Sequence, residues 1–287
     1  MTVIDAVAAV MFIAIIVYSI FGGADFGSGV WDLLAGRGRR GAELRKLIDH
    51  AIGPVWEANH VWLIFVLVFL WTAFPRPFGA LMRELSVPFW LAGLGIVLRA
   101  TGFALRKYAP SFTAARLAGV TFALSSLVTP FFLGSIAGAV ASGRVDPTKT
   151  TVGVSPLTVT SVIGGVLAVL TCTFLAGLFL TAEAGHRGQH DLFDMLRRRS
   201  LAVGIITGAA AMMAVVPLTA DAPTLASGLT GRAAPLMVIS GVAGTTALWS
   251  LHRSRARQAR IAGVIAVASV VGGWGVAQYP WLLVDHT

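Results

Sequence analysis

Eight separate stretches of this chain are apolar for long enough to cross a hydrocarbon layer about 30 Å thick, which takes roughly 20 helical residues. They run approximately over residues 3–24, 53–75, 79–105, 112–141, 154–182, 200–220, 232–251 and 261–284. The apolar residues come in blocks, without the spacing of a helix that keeps one face in water. In lipid each backbone polar group needs a partner within its own segment, so runs of this kind fold as helices. Composition agrees, since 56% of the 287 residues are hydrophobic and 12% are charged, about half the charged share of a soluble domain. The expected fold is all-α: a polytopic integral membrane protein of about eight transmembrane helices, arranged as two four-helix bundles. It is expected to form a single transmembrane domain over 1–287, with a first half of about 1–142 and a second of about 154–284. Met1 leads directly into the first apolar stretch with no basic region before it, so that stretch reads as a spanning helix rather than a signal peptide.

The formal net charge is +9, but its distribution points to membrane orientation and away from nucleic acid. Sixteen Lys and Arg side chains fall in the loops after the first, third, fifth and seventh spans, against five in the alternate loops. Basic loops stay in the cytoplasm, so both termini are expected outside it, in a prokaryotic cell membrane. The two longest connections, 25–52 and 183–199, are then cytoplasmic and long enough for short interfacial helices. No basic run is interleaved with aromatics as a nucleic-acid groove would be. Cys172 is the single cysteine, which rules out an intrachain disulfide and a cysteine metal cluster.

One arginine is not explained by orientation. Arg99 lies inside the third span, and a charge there needs a partner, a wet cavity or a function. Two carboxylates are expected at the same depth, in the cytoplasmic third of the membrane: Asp25, at the end of the first apolar run, and Glu57, about a turn into the second. His60 follows Glu57 by three residues and shares its helix face, with Asn59 and Trp62 nearby. An ion pair that merely neutralises Arg99 explains part of this pattern. A polar proton-entry route, with Glu57 as relay and Arg99 holding the cavity, explains it as well. The histidines at 50, 186, 190, 252 and 286 fall in loops or at span ends, which leaves His60 as the intramembrane candidate for a haem ligand. Trp56, Trp62, Trp71, Trp274 and Trp281, near span ends, read as an aromatic belt. Gly134 and Gly138 read as helix-packing positions.

The same segments resemble a known family. Gly23-Ala24-Asp25-Phe26-Gly27-Ser28-Gly29 is similar to a signature in subunit II of cytochrome bd-type quinol oxidases. Pro54-Val55-Trp56-Glu57-Ala58-Asn59-His60-Val61-Trp62-Leu63 resembles that subunit's second-helix stretch, Leu98-Arg99-Ala100-Thr101-Gly102-Phe103 its third-helix arginine segment, and Trp274-Gly275-Val276-Ala277-Gln278-Tyr279-Pro280 a motif near its end. The resemblance implies a subunit of a membrane-bound quinol:oxygen oxidase that reduces oxygen to water. Haem b and haem d would be carried by the larger partner, subunit I, with quinol as the substrate of the complex. This chain would ligate no cofactor or metal and carry no catalytic residue. Asp25, Glu57 and Arg99 would line a cytoplasmic proton route, with Asn59 and His60 in support and Trp62 near the oxygen path. A small accessory subunit and the lipid bilayer are further implied partners.

Three departures accompany the resemblance. Glu57 stands where the family usually has aspartate, Gly22 where many members carry a second acid, and members usually continue into a ninth helix past the position of Thr287. A proton-coupled transporter or exporter component is the competing reading, with Glu57 and Arg99 at its substrate or proton site. The near absence of ionisable residues from the later spans counts against it. A purely structural assembly subunit is a third reading.

Overall fold

The computed structural model describes residues 2–52, 56–108, 111–148 and 158–284, apart from the side chains of 52, 56–58, 106–108, 112 and 115. Eleven helices and no strand occur among these residues: α1 (Val3–Leu33), α2 (Arg39–Ile52), α3 (Trp56–Ala73), α4 (Pro75–Glu84), α5 (Ser86–Tyr108), α6 (Phe112–Ala141), α7 (Val159–His186), α8 (His190–Asp221), α9 (Pro223–Thr230), α10 (Ala234–His252) and α11 (Ala256–Gln278). Seven are long and apolar enough to cross a membrane; the pair Asn59–Ala73 and Pro75–Glu84, bent by 116°, makes an eighth if counted as one span. The all-α, multi-spanning expectation holds. Trp90, Trp71, Met212, Met213 and Val216 are each more than 60% exposed, which suits hydrocarbon far better than water.

The first helix is longer than the apolar run foretold. It begins at a capping box, in which the Thr2 hydroxyl accepts from Asp5 N–H and the Asp5 carboxylate accepts from Thr2 N–H. It then continues to Leu33, nine residues past the expected end at 24. The glycine-rich stretch from Gly22 to Gly29 therefore does not end the helix. These glycines are where α1 meets α6 and α7: a Cβ on Gly27 would overlap the carbonyl of Cys172, and one on Gly29 would overlap Ser126 Oγ. In lipid small residues let backbones approach in this way. With 31 residues, α1 is about 46 Å long at 1.5 Å per residue, so it crosses the apolar layer and continues beyond it.

Past that boundary the chain builds an apolar foot. Trp31 is fully buried among Leu44, Leu47 and Ile48 of α2, Leu180 of α7 and Leu192 and Leu196 of α8, and its indole N–H donates to Thr173 O at 2.9 Å. This is why α2 forms as a short amphipathic helix, and why α8 begins at His190 rather than at the expected 200. The expected connection 25–52 is thus mostly helical. Gly134 and Gly138 act as packing positions, since a Cβ on either would overlap a main-chain carbonyl of α7, at Gly164 and Thr160. Of the tryptophans expected in an aromatic belt, Trp71 is exposed, whereas Trp274 packs on Phe12 at 5.5 Å.

The opposite end of the bundle is tied by polar contacts the sequence reading did not pair. Glu84, 6% exposed, accepts the Asp146 N–H at 2.9 Å, which fastens α4 to the segment after α6. Asp221 forms an ion pair with Arg144 and accepts from the Thr160 N–H at 3.2 Å, so the end of α8 holds the start of α7. Glu84→Ala is expected to remove the acceptor of a partly buried N–H and to cost about 1 kcal/mol. Thermal unfolding of the purified protein in one detergent would read this as a lowered midpoint, and an unchanged midpoint would show that Asp146 finds another acceptor.

Candidate functional site

Asp25 and Arg99 meet in the interior of the bundle. Asp25 sits on α1 and Arg99 on α5, and each is 3% exposed. Arg99 Nη2 donates to Asp25 Oδ1 at 2.7 Å and to the Asp25 main-chain carbonyl at 2.6 Å. Its other terminal nitrogen, Nη1, donates to Ser126 Oγ on α6, and the Ser126 hydroxyl in turn donates to Phe122 O at 2.6 Å. The guanidinium carbon lies 4.4 Å from the centre of the Phe122 ring and 5.1 Å from that of Phe26. Arg99 is therefore held by a carboxylate, a carbonyl, a hydroxyl and two aromatic faces. A planar fork of donors suits such a site, and a lysine could not replace it.

Each partner is in place for a sequence reason. Gly29 is one turn past Asp25, and its missing side chain leaves the room that Ser126 and Arg99 fill. Gly95 is one turn before Arg99, and a Cβ there would overlap Thr129 Oγ1, so α5 and α6 close tightly at the level of the pair. The Ser28 hydroxyl donates back to the Asp25 carbonyl. Asp25 Oδ2, in contrast, is buried without a hydrogen-bond partner among the described residues. One carboxylate oxygen is fixed by Arg99, and the other is available for chemistry.

The second-span residues lie beside this pair. Asn59, 6% exposed, donates from Nδ2 to Phe21 O at 3.4 Å, which latches α3 to α1 one turn before Asp25. His60 stands edge-on to Phe26 at 6.2 Å. Glu57 is in the first turn of α3, and its side chain lies outside the described residues. Trp62 faces outward and is 39% exposed.

A second buried acid on α1 was missed in the sequence. Asp32 is seven residues past Asp25, hence on the same helix face, and it is 4% exposed. Arg45 of α2 pairs with it at 2.8 Å, and that arginine is 37% exposed. The available signal was the spacing of Asp25 and Asp32, which is visible only if the helix is carried through the glycines. The two pairs make a polar stripe down one face of α1, from a half-exposed arginine at one end to a fully buried one.

The whole chain can be placed by comparison. A family model for cytochrome bd terminal oxidase subunit II matches residues 3–287. The chain belongs to that family. It is similar to the cytochrome bd ubiquinol oxidase subunit 2 of Bacillus subtilis (strain 168), with 26% identity over 55% of this chain and 47% of the relative. It is also similar to a putative cytochrome bd menaquinol oxidase subunit II of the same organism, with 21% identity over 78% of this chain and 66% of that one. The chain thus spans about half to two thirds of the length of these curated relatives. Among solved structures, the bd oxidase from Geobacillus thermodenitrificans has the same fold, with a TM-score of 0.83 at 24% identity over 99% of this chain and 87% of the other. Membership of the cytochrome bd subunit II family sets aside the transporter reading.

Proposed function

We propose that this chain is the second subunit of a quinol:oxygen oxidase in a prokaryotic cell membrane. It pairs with a haem-bearing subunit I and delivers protons from the cytoplasm for the reduction of oxygen to water. On this reading haem b and haem d belong to the partner, where they supply the electron transfer and oxygen chemistry, and quinol is oxidised there too. Among the described residues no group of three or more His, Cys, Asp or Glu is arranged to hold a metal ion. His60 is the second residue of the Asn59–Ala73 segment, and on this reading it ligates no haem.

The observation that carries the proton route is the half-held carboxylate. Arg99 fixes Asp25 Oδ1, while Oδ2 can take up a proton from the cytoplasmic side and release it inward. Arg99 keeps the group oriented through each cycle, and the phenylalanine rings on either side exclude water that would let protons leak. Glu57 is assigned the entry position and Asn59 the anchor that holds α3 against α1. His60 supports that contact, and Trp62 is placed beside the oxygen path. Because the bond network at Asp25 is complete on one side only, the site is suited to conduction as well as to neutralising charge.

The clustering of basic residues supports an orientation with both termini outside the cytoplasm. Arg45, Arg197 and Arg199 make contacts at the α1–α2, α8 and α10 ends that gather at the apolar foot. The halves 1–142 and 154–284 are proposed as the two four-helix units, and a small accessory subunit as a further partner.

Two measurements test the proposal. Co-purification with the neighbouring large subunit is expected to give a complex with haem b and d bands in a reduced-minus-oxidised spectrum; a colourless protein that is complete alone would refute it. In that complex Asp25→Asn and Glu57→Gln are expected to retain haem and to lose oxygen consumption by roughly a hundredfold, the scale of losing a positioned proton donor. Unchanged turnover would reduce the charges to a structural role.

A further inference from the structure

Tyr18 is a polar group that the proton route, as drawn above, does not use. It precedes Asp25 by seven residues, and positions 18, 22 and 25 share one face of α1. Gly22, between them, has no side chain, and the Tyr18 ring lies over it: a Cβ there would come within 2.8 Å of Tyr18 Cε2 and 3.1 Å of Cδ2. The hydroxyl oxygen is sealed from solvent and has no hydrogen-bond partner among the described residues. The charges of the Asp25–Arg99 pair both act at this position.

Buried polar atoms are almost always paired, and one left unpaired calls for a reason. Here two occur on the same helix face: Asp25 Oδ2, an acceptor, and Tyr18 Oη, both donor and acceptor. A single water between them would satisfy both, and waters in protein interiors occupy sites of this kind. Tyr18 is also on the side of Asp25 away from the Asp32–Arg45 pair, so it faces the membrane interior.

Building on the proton-route reading, we propose that Tyr18 is the next proton-carrying group inward from Asp25, joined to it by one buried water. The proton on Asp25 Oδ2 passes to the water, which gives one of its own protons to the lone pair of Tyr18 Oη. The original phenol proton leaves on the inner side to a further water leading to the oxygen-reducing centre of the partner subunit. At each station one O–H bond forms and one breaks, no electrons move, and the phenol is neutral before and after. Rotation about the C–O bond resets it. Tyr18 therefore relays without ionising, which suits a group shielded from solvent. Gly22 has a role in this arrangement, because it leaves the ring the space to lie toward Asp25.

The test uses the co-purified complex with Tyr18→Phe, which keeps the ring and removes only the hydroxyl, beside Asp25→Asn. Haem content, oxygen consumption and the ratio of rates in H2O and D2O are measured for each. Tyr18→Phe is expected to carry the wild-type haem content, to turn over roughly tenfold more slowly, and to show a larger solvent isotope effect because proton delivery has become limiting. A merely structural tyrosine would not alter that ratio. If Tyr18→Phe keeps the wild-type rate and isotope effect while Asp25→Asn is slow, the relay through Tyr18 is wrong and the route through Asp25 stands. If both variants match the wild type, the route itself is wrong, and Tyr18 falls with it.

Discussion

Arg99→Met is expected to prevent stable accumulation of the folded protein, and Asp25→Leu in the same chain is expected to restore it. The single change removes the cation from a site that is 3% exposed and takes from the Asp25 carboxylate the donor that holds it. Breaking a buried pair in this way costs about 3–5 kcal/mol, a large part of the total stability of most domains. The double change removes both charges and replaces them with side chains that can pack against Phe26 and Phe122. Apolar replacements of a buried pair are often neutral or better. The backbone carbonyl of Asp25 retains a donor in Ser28, and Ser126 retains its bond to Phe122 O, so few polar groups are stranded. The measurement is the fraction surviving size-exclusion chromatography after graded heating, for wild type, both single variants and the pair, read as a double-mutant cycle. Full survival of Arg99→Met would mean that the ion pair contributes nothing to folding. A rescued double variant that takes up its partner and haem but does not consume oxygen would separate the structural role of the pair from its proton-carrying one.

That Arg99 pairs with a carboxylate was legible, because a lone arginine in an apolar run must be neutralised and Asp25 and Glu57 were expected at its depth; that the partner is Asp25 was not. What holds the arginine besides Asp25 was not. Ser126 and Phe122 come from α6, and neither a serine nor a phenylalanine in an apolar run stands out until the helices are assembled. The end of α1 was misplaced for a related reason: glycines usually punctuate helices, but in a membrane the same residues mark close helix contacts. Ending the helix at 24 put Asp32 in a loop and hid its shared face with Asp25. Asp221 closes α8, and nothing in its sequence setting shows that its carboxylate joins Arg144 and Thr160 across two chain segments. Tertiary polar contacts of this type leave no periodic trace in a sequence. The amphipathic spacing of Leu44, Leu47 and Ile48 did leave one, and the interfacial helix expected within 25–52 is the α2 that covers Trp31.

The glycine stretch also leads to the second large effect: Gly27→Ala is expected to be severely damaging, and Gly93→Ala nearly silent. Both residues lie inside helices, where alanine alone would favour the helix by up to about 1 kcal/mol. At Gly93 a new methyl meets nothing within 4 Å, so that gain is kept. At Gly27 the methyl would overlap the carbonyl oxygen and carbon of Cys172 and come within 2.8 Å of Ala176 Cβ. Overpacking against side chains costs roughly 1–3 kcal/mol because they can rotate away. A main-chain carbonyl inside α7 cannot rotate without breaking its helix, so α1 and α7 must move apart as bodies. Gly27 is two residues from Asp25 and two from Gly29, so that displacement draws the carboxylate from Arg99 and opens the contact with Ser126. Gly27→Ala should therefore show a lowered thermal midpoint and lose oxygen consumption together, whereas Gly93→Ala should keep both. A Gly27→Ala protein with normal stability would mean that α1 and α7 can separate without cost, and with it the explanation of why the helix runs through its glycines would fail.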